Sequence, residues 1–155
     1  LVPLDSLHKR IVIDERSAAF AALGVGLATG VPAVLLCTSG TAAAHFYAAV
    51  IEADLSHVPL LVVTADRPPE LKDVGAPQTI DQTKMYGDTV RWFHDPGVAD
   101  ISACNSWRVL ARQSFASTVG LRPVKQDRPS HCSDGLCQPK TTARGPLKIE
   151  VFAHH

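Results

Sequence analysis

The sequence predicts an α/β fold, in which an open parallel sheet carries helices on both of its faces. Two wholly apolar runs, residues 32–37 and 59–64, have the length of buried strands. Residues 42–54 lie between them and repeat apolar side chains at helical spacing. Because this connection is long enough to hold a helix, the two strands are expected to be parallel neighbours.

The elements around this central unit follow the same alternation. Residues 10–14 are rich in β-branched side chains and predict a strand, and residues 15–29 predict a helix with Asp14 as its N-cap and Gly30 as its stop. Residues 89–93 predict another strand. The strand at 32–37 is expected to be covered on both faces, as central strands of parallel sheets are.

A helix over residues 101–119 completes the predicted domain. The side chains expected on its inward stripe are Trp107, Leu110, Ala111, Ser114 and Phe115. The folded domain is expected to occupy residues 1–120. Residues 121–144 contain three prolines and no sustained period, so residues 121–155 are predicted to be an irregular tail with at most one isolated strand at 146–152.

Composition limits the function classes. The 155 residues contain 15 basic and 15 acidic side chains, and neither sign forms a long block, so nothing indicates nucleic acid or an anionic membrane as a partner. Residues 17–51 carry no charge, but glycines and a proline divide this run into helices and a strand of soluble length, so no membrane span is expected. A cytoplasmic location is the expectation.

The four cysteines are not expected to form a disulfide framework, and a reducing compartment is the expectation. His131, Cys132 and Cys137 lie close together in the sequence, and a zinc site there is the alternative to incidental placement. Four ligands are needed for such a site, and no second matching pair is present.

Loops at the carboxyl ends of parallel strands are where open α/β sheets bind ligands, and two such loops carry polar groups. In the first, Thr38, Ser39 and Thr41 surround Gly40, and Ser39 or Thr41 is expected to cap the next helix. In the second, Arg67 either clamps a substrate carboxylate or pairs with a neighbouring acid.

Three further residues leave the same kind of choice. Glu15 begins a helix, where it is either a carboxylate favoured by the helix dipole or a partly buried acid that passes a proton to a ligand. Gln78 and Gln82 either donate amide hydrogens to a ligand or are solvated in a polar loop.

Five motifs together resemble those of the thiamine diphosphate-dependent 2-succinyl-5-enolpyruvyl-6-hydroxy-3-cyclohexene-1-carboxylate synthases of menaquinone biosynthesis. They are IDERSA at 13–18, TSGTA at 38–42, VPL at 58–60, TADRPPEL at 64–71 and GAPQTIDQ at 75–82. The resemblance covers residues 10–118. It implies that the chain is an incomplete pyrimidine-binding domain, without the family's first strand and helix, from an enzyme that is a homo-oligomer.

The resemblance also implies roles for individual residues. Glu15 would hydrogen-bond the cofactor's aminopyrimidine ring, so that 2-oxoglutarate is decarboxylated and the resulting unit is added to isochorismate. The turn 38–41, with Thr38, Ser39, Gly40 and Thr41, would lie near the cofactor. Arg67 and Gln78 would contact substrate, and Mg²⁺ or Mn²⁺ would be held by a part of the enzyme that this chain lacks.

The chain departs from the family pattern at Pro77 and His45, where the family has asparagines. Residues 121–155 are not expected to resemble the family, and the fragment is expected to be inactive alone. Two alternatives remain at this point: a non-catalytic interaction module that pairs through its Ala/Gly-rich helix, and a decarboxylase-type relative acting on another 2-oxo acid.

Overall fold

A computed structural model describes residues 8–97, 104–120 and 147–152. The helices are α1 (Glu15–Thr29), α2 (Thr41–Ala44), α3 (Tyr47–Leu55) and α4 (Cys104–Thr118), and the strands are β1 (Ala33–Cys37), β2 (Leu60–Ala65), β3 (Trp92–His94) and β4 (Leu147–Phe152). Short 3₁₀ turns occupy Pro69–Leu71 and Gly87–Thr89. No helix in the described part of the chain is long and apolar enough to cross a membrane.

The four strands form one sheet in the order β1-β2-β4-β3. β1 and β2 are parallel, as predicted, and Cys37 lies opposite Thr64 in their register. β4 runs antiparallel to both β2 and β3, which the sequence analysis did not predict. The open α/β architecture is confirmed, and the parallel strands β1 and β2 end at the same edge of the sheet.

The main core lies between the sheet and the pair α1 and α3. Ala-rich faces of the helices let them approach the strands closely, and Phe46 fills the space beside the short helix α2. The predicted inward residues of 42–54, namely Phe46, Ala49, Val50 and Ala53, are all buried. Leu35, Leu60 and Val62 supply the strand side of this core.

The opposite face of the sheet is only partly covered. Leu110 and Trp107 of α4 pack against Leu61 and Val63 of β2. Within the described residues nothing extends this cover to β1, whose Val34 and Leu36 are 63% and 71% exposed on that side.

The prediction that β1 is covered on both faces is therefore wrong for the described part of the chain. The stripe predicted for α4 also needs correction, because Ala111 is exposed and Phe115 is half exposed. Ser114, Ser117 and Thr118 are the residues buried there beside Leu110.

The predicted strand at 10–14 does not form. These residues are irregular, and Ile11 and Ile13 are 85% and 97% exposed. A strand requires a hydrogen-bonded neighbour, and in the described residues the outer edge of β1 has none. The β-branched side chains of this segment favour an extended strand, but strand propensity alone does not form a strand without a hydrogen-bonded partner.

The predicted helix at 42–54 is divided into α2 and α3. The N–H of His45 is shared between the carbonyls of Thr41 and Ala42, and the ψ angles of His45 and Phe46 are −15° and −16°. Such ψ values are close to those of a 3₁₀ turn, so the chain tightens here and directs Phe46 into the core. The predicted strand at 89–93 is also shorter, beginning at Trp92.

Most of the predicted tail lies outside the described residues, including 121–146 and 153–155. Within it, a strand was expected at 146–152, and β4 occupies Leu147–Phe152. It is not isolated, however, because it pairs with β2 on one side and β3 on the other.

Candidate functional site

The candidate site lies at the edge where β1 and β2 both end. The turn 38–41 leaves β1 here, and the loop 65–71 leaves β2 beside it, because Cys37 and Thr64 are in register. The N-terminus of α1 lies near the same edge, because α1 packs against β1 and Glu15 is close enough for its charge to raise the pKa of the Cys37 thiol. Three segments that are distant in sequence therefore meet at one end of the sheet.

Glu15 is the first residue of α1 and is half-buried. Asp14 is the N-cap, as predicted: its carboxylate accepts a hydrogen bond from Ser17 N–H at 3.0 Å. Asp14 also pairs with Arg16 at 2.7 Å, and these two partners hold the pKa of the Asp14 carboxyl well below its usual range. Because Asp14 fulfils the capping role, the Glu15 carboxylate makes no hydrogen bond with another described residue.

The pKa of the Cys37 thiol depends in part on the charge of Glu15. Burial raises the pKa of the Cys37 thiol to about 12, and the negative charge of Glu15 adds to this effect. The thiol is therefore protonated at neutral pH and is not a candidate nucleophile. The same observation places the Glu15 carboxylate near the end of β1.

The turn 38–41 is shaped by Gly40. Its φ of 78° and ψ of −140° lie in a region that side chains disfavour, and a Cβ at this position would come within 2.8 Å of the Cα and carbonyl carbon of Gln78. Ser39 is buried with Gly40, while Thr38 and Thr41 are exposed. Gly40 is the N-cap of α2 and no side chain caps it, so the capping role predicted for Ser39 or Thr41 is wrong.

Arg67 is half-buried, and its Nε atom is buried without a hydrogen-bond partner among the described residues. Asp66 does not pair with the Arg67 side chain. Its carboxylate accepts the Arg67 backbone N–H at 2.8 Å and forms an ion pair with Lys72 at 3.2 Å. The alternative that Arg67 pairs with Asp66 or Glu70 is therefore not observed, and a buried donor without a partner is costly to maintain.

The two glutamines of the polar loop have different surroundings. Gln78 is exposed, has a φ of 56° and lies with its backbone against Gly40. Gln82 is only 1% exposed, and its carboxamide bridges the turn 38–41 and the end of β2. The expectation that it is solvated or ligand-bound is wrong. No local pattern could have identified it, because its partners lie 17 to 42 residues away in the sequence.

Among the described residues, no group of three or more His, Cys, Asp or Glu side chains is arranged to hold a metal ion. His131, Cys132 and Cys137, where a zinc site was the alternative, lie outside those residues.

A family profile matches residues 4–85, which is more than half of the chain. Its description is thiamine pyrophosphate enzyme, N-terminal TPP binding domain. The match includes every predicted site residue, from Glu15 to Gln78.

Curated relatives share high identity with the chain. Proteins named 2-succinyl-5-enolpyruvyl-6-hydroxy-3-cyclohexene-1-carboxylate synthase are 60% identical over 117 residues in Haloquadratum walsbyi, 57% over 142 in Chloroflexus aurantiacus and 57% over 148 in Bacillus pumilus. These matches cover 74%, 92% and 96% of this chain but only 19%, 24% and 24% of the relatives. The chain thus spans about a fifth to a quarter of their length.

The two longer matches cannot end at Gly120, so they extend into the region where no resemblance was expected. The chain therefore belongs to the thiamine pyrophosphate enzymes as an N-terminal TPP-binding domain, and within that family it is similar to the 2-succinyl-5-enolpyruvyl-6-hydroxy-3-cyclohexene-1-carboxylate synthases.

Proposed function

We propose that this chain forms the wall of a synthase active site that receives the aminopyrimidine ring of thiamine diphosphate and the carboxylate of a 2-oxo acid. The reaction would be that of the named relatives, with 2-oxoglutarate and isochorismate as substrates. The isolated chain is expected to bind these ligands weakly and to have no turnover, since it spans only a fraction of the relatives' length.

One observation carries the proposal. Glu15, the turn 38–41 and Arg67 converge on the edge where β1 and β2 end, and two of them offer unsatisfied groups. The Glu15 carboxylate has no hydrogen-bond partner in the described residues, and the buried Arg67 Nε has none either. An acid and a cationic donor left open at one sheet edge fit an aminopyrimidine ring and a carboxylate, respectively.

Glu15 is proposed to hold a proton at a ring nitrogen of the aminopyrimidine. Its half-buried position at the start of α1 restricts the approach of water, which strengthens a hydrogen bond to the ring. Thiamine diphosphate, when bound, supplies the electron sink for decarboxylation of a 2-oxo acid. The buried backbone of Ser39 and Gly40 would define the floor against which the ring lies, with Thr38 and Thr41 at its margin.

Arg67 is proposed to bind a substrate carboxylate through its planar guanidinium. Its backbone is fixed by the Asp66 carboxylate, which is itself fully buried and paired with Lys72. Gln78 is proposed to donate its exposed amide to the same substrate. Pro77, next to it, has no amide to offer, so this chain would make fewer polar contacts there than a chain with asparagine.

The remaining parts of the site are proposed to come from outside this chain. The divalent ion that accompanies the diphosphate, Mg²⁺ or Mn²⁺, would be held by another part of the longer enzyme. A homo-oligomer would bring a second subunit to the site.

Ligand titrations of the 155-residue chain followed by amide NMR test the proposal. We expect thiamine diphosphate to shift the resonances of Glu15 and of residues 38–41, and 2-oxoglutarate to shift those of residues 65–67. Arg67→Met should weaken 2-oxoglutarate binding by about ten- to a hundredfold, because charge-assisted hydrogen bonds are lost. It should leave stability unchanged or slightly raised, since a buried donor without a partner is removed.

Arg91→Met is the matched control, because Arg91 already bonds to Asp54 at 3.1 Å and is not part of the proposed site. It should leave 2-oxoglutarate binding intact. If neither ligand perturbs the resonances of this edge at millimolar concentration, the proposed binding role of the chain is wrong.

A second candidate function, that of an interaction module, is favoured by the outer surface of the helices. We call this the α1/α3 face; its exposed apolar side chains are Phe20 and Leu27 on α1, and Tyr47, Ile51 and Leu55 on α3. They recur at intervals of seven residues on α1 and four on α3, which aligns them along each helix. A second copy of the chain is the occupant that this alternative proposes for the face.

A further inference from the structure

We propose that Gln82 is a positioning residue that holds the cofactor-side turn 38–41 and the substrate-side loop 65–71 in a fixed relation. This inference rests on the proposed function, which assigns the turn 38–41 to the cofactor and the loop 65–71 to the substrate. Gln82 itself touches no proposed ligand. Its role would be exerted through the backbone of Gly40 on one side and of Ala65 on the other.

The carboxamide of Gln82 makes three hydrogen bonds in a buried setting. Its Oε1 accepts the N–H of Gly40 at 2.8 Å. Its Nε2 donates to Thr64 Oγ1 at 3.2 Å and to the Ala65 carbonyl at 3.0 Å. Both ends of one amide are thereby committed to two different strand ends.

The chemistry of the bridge requires an amide. The contact with Gly40 needs an acceptor, and the contacts with Thr64 and Ala65 use two donors on one atom. A carboxylate of the same shape has no donor and would face the Ala65 carbonyl with a negative charge. An apolar side chain of similar volume would fill the space but leave the Gly40 N–H without its partner.

The bridge lies close to groups with proposed roles. Ala65 precedes Asp66, whose carboxylate accepts the Arg67 N–H, so the path from Gln82 to the Arg67 backbone passes through two short links. On the other side, Gly40 is the N-cap of α2. A shift of the amide would therefore alter the separation between the two segments, and not only the stability of one.

Tyr86 provides a matched comparison from the same loop. It is fully buried, and its hydroxyl donates to the Ala43 carbonyl at 2.7 Å. Like Gln82, it ties the polar loop to the chain after β1. The partner of its hydroxyl lies in the segment after β1, so loss of the hydroxyl alone should disturb only one of the two segments.

The test compares Gln82→Met with Tyr86→Phe in the 155-residue chain by amide NMR and hydrogen exchange. For Gln82→Met we expect the Gly40 amide to exchange at least about tenfold faster relative to the β1–β2 core amides. The resonances of residues 39–41 and 65–67 should shift together. Tyr86→Phe should shift residues near Ala43 but leave 65–67 unchanged.

A second variant, Gln82→Glu, tests the donor requirement by its pH profile. Protonated glutamic acid has an acceptor oxygen and one O–H donor, so it can reproduce the bridge in part; the ionised form cannot. We expect native-like positions for the Gly40 and Arg67 resonances at acidic pH and displaced positions above neutrality. The wild-type chain at each pH controls for the other charged groups of the segments around Gln82, which are Asp66, Arg67, Glu70, Lys72, Asp81 and Lys84.

The outcomes separate this inference from the proposed function. If Gln82→Met lowers the melting temperature but its shifts stay on one segment, or if Gln82→Glu shows no pH-dependent recovery, Gln82 is only a stabilising core residue and the inference is wrong. These readouts need no ligand. If they appear as expected while thiamine diphosphate and 2-oxoglutarate fail to bind, the bridge stands and the proposed function fails.

Discussion

Gly40 is the residue whose identity is most tightly fixed by its backbone. A positive φ disfavours any side chain, and Gln78 occupies the space that a Cβ would need. We expect Gly40→Ala to lower the free energy of unfolding by about 2–3 kcal/mol, from backbone strain and displacement of Gln78. Urea unfolding measures this change.

Gly24→Ala is the control for this substitution. Gly24 lies within α1, and no atom lies near the position of its missing Cβ. We expect alanine there to raise the free energy of unfolding by about 0.5–1 kcal/mol. Equal effects of the two substitutions would show that the Gly40 turn is not constrained as the structure indicates.

The proximity of Glu15 and Cys37 can be measured without any ligand. Glu15→Gln removes a negative charge that helps to raise the pKa of the Cys37 thiol, so that pKa should fall from about 12 while burial keeps it above that of a free thiol. Alkylation of Cys37 at mildly alkaline pH, followed by peptide mapping, should then be about a few-fold faster.

Glu52→Gln, on the exposed side of α3, removes the same charge elsewhere and should leave the alkylation rate unchanged. An unchanged rate in Glu15→Gln as well would mean that the two side chains do not share the site edge.

At the scale of elements, the periodicity of apolar residues is sufficient to predict those elements whose structure depends on local packing. The buried face of α3 and the parallel pairing of β1 with β2 follow from apolar spacing and a crossover of adequate length. The strand predicted at 10–14 is absent because a strand needs a hydrogen-bonded neighbour. The sequence of the segment itself does not specify such a neighbour. The same limitation explains Gln82, whose burial depends on hydrogen bonds to residues far away in the sequence.

The candidate site was predicted in part for the same reason. Strand ends could be located from the sequence, so the meeting of the turn 38–41 with the loop 65–71 was predictable. The actual cap of α2 was not predictable, because Gly40 takes that position through its fit against Gln78 and Gln82. Whether Arg67 pairs with a neighbouring acid depended on Lys72, which holds Asp66 instead.

The α1/α3 face is the element-scale feature that decides between the two candidate functions. If a second copy covers it, Leu27→Lys with Leu55→Lys should abolish concentration-dependent association and change the melting temperature little, since both side chains are more than 60% exposed. Sedimentation velocity over a range of concentrations measures the association.

Leu36→Lys is the comparison for this test, because Leu36 is similarly exposed but lies on β1, on the other face of the sheet. Loss of association in Leu36→Lys alone would move the contact to the uncovered side of β1. A chain that is monomeric before any substitution would remove the support for the interaction module.

At the scale of the whole molecule, β4 lies between β2 and β3 and connects β3 to the rest of the sheet. In the described residues β3 pairs only with β4, and β4 pairs with β2 along its full length. A chain ending at Gly120 lacks β4 and should therefore lose β3 and expose the edge of β2 that pairs with β4. Because domains are stable by only about 5–15 kcal/mol, we expect this truncation to abolish the cooperative unfolding transition.

Urea unfolding monitored by near-UV circular dichroism of Trp92 and Trp107 measures this effect. A chain that lacks only residues 153–155 is the control and should unfold as the wild-type chain does. Retention of a full cooperative transition after truncation at Gly120 would show that β4 contributes nothing to the fold.

The outer edge of β1, which has no neighbouring strand among the residues that the structure describes, bears on the stability of the chain in a cell. Natural sheets protect an exposed edge with charges, prolines or bulges, but Ala33–Cys37 has none of these, and two of its apolar side chains face solvent. Such an edge is the kind of surface that chaperones retain and that proteases reach when it stays uncovered. The abundance of the chain should therefore depend on how quickly another polypeptide covers this edge after synthesis.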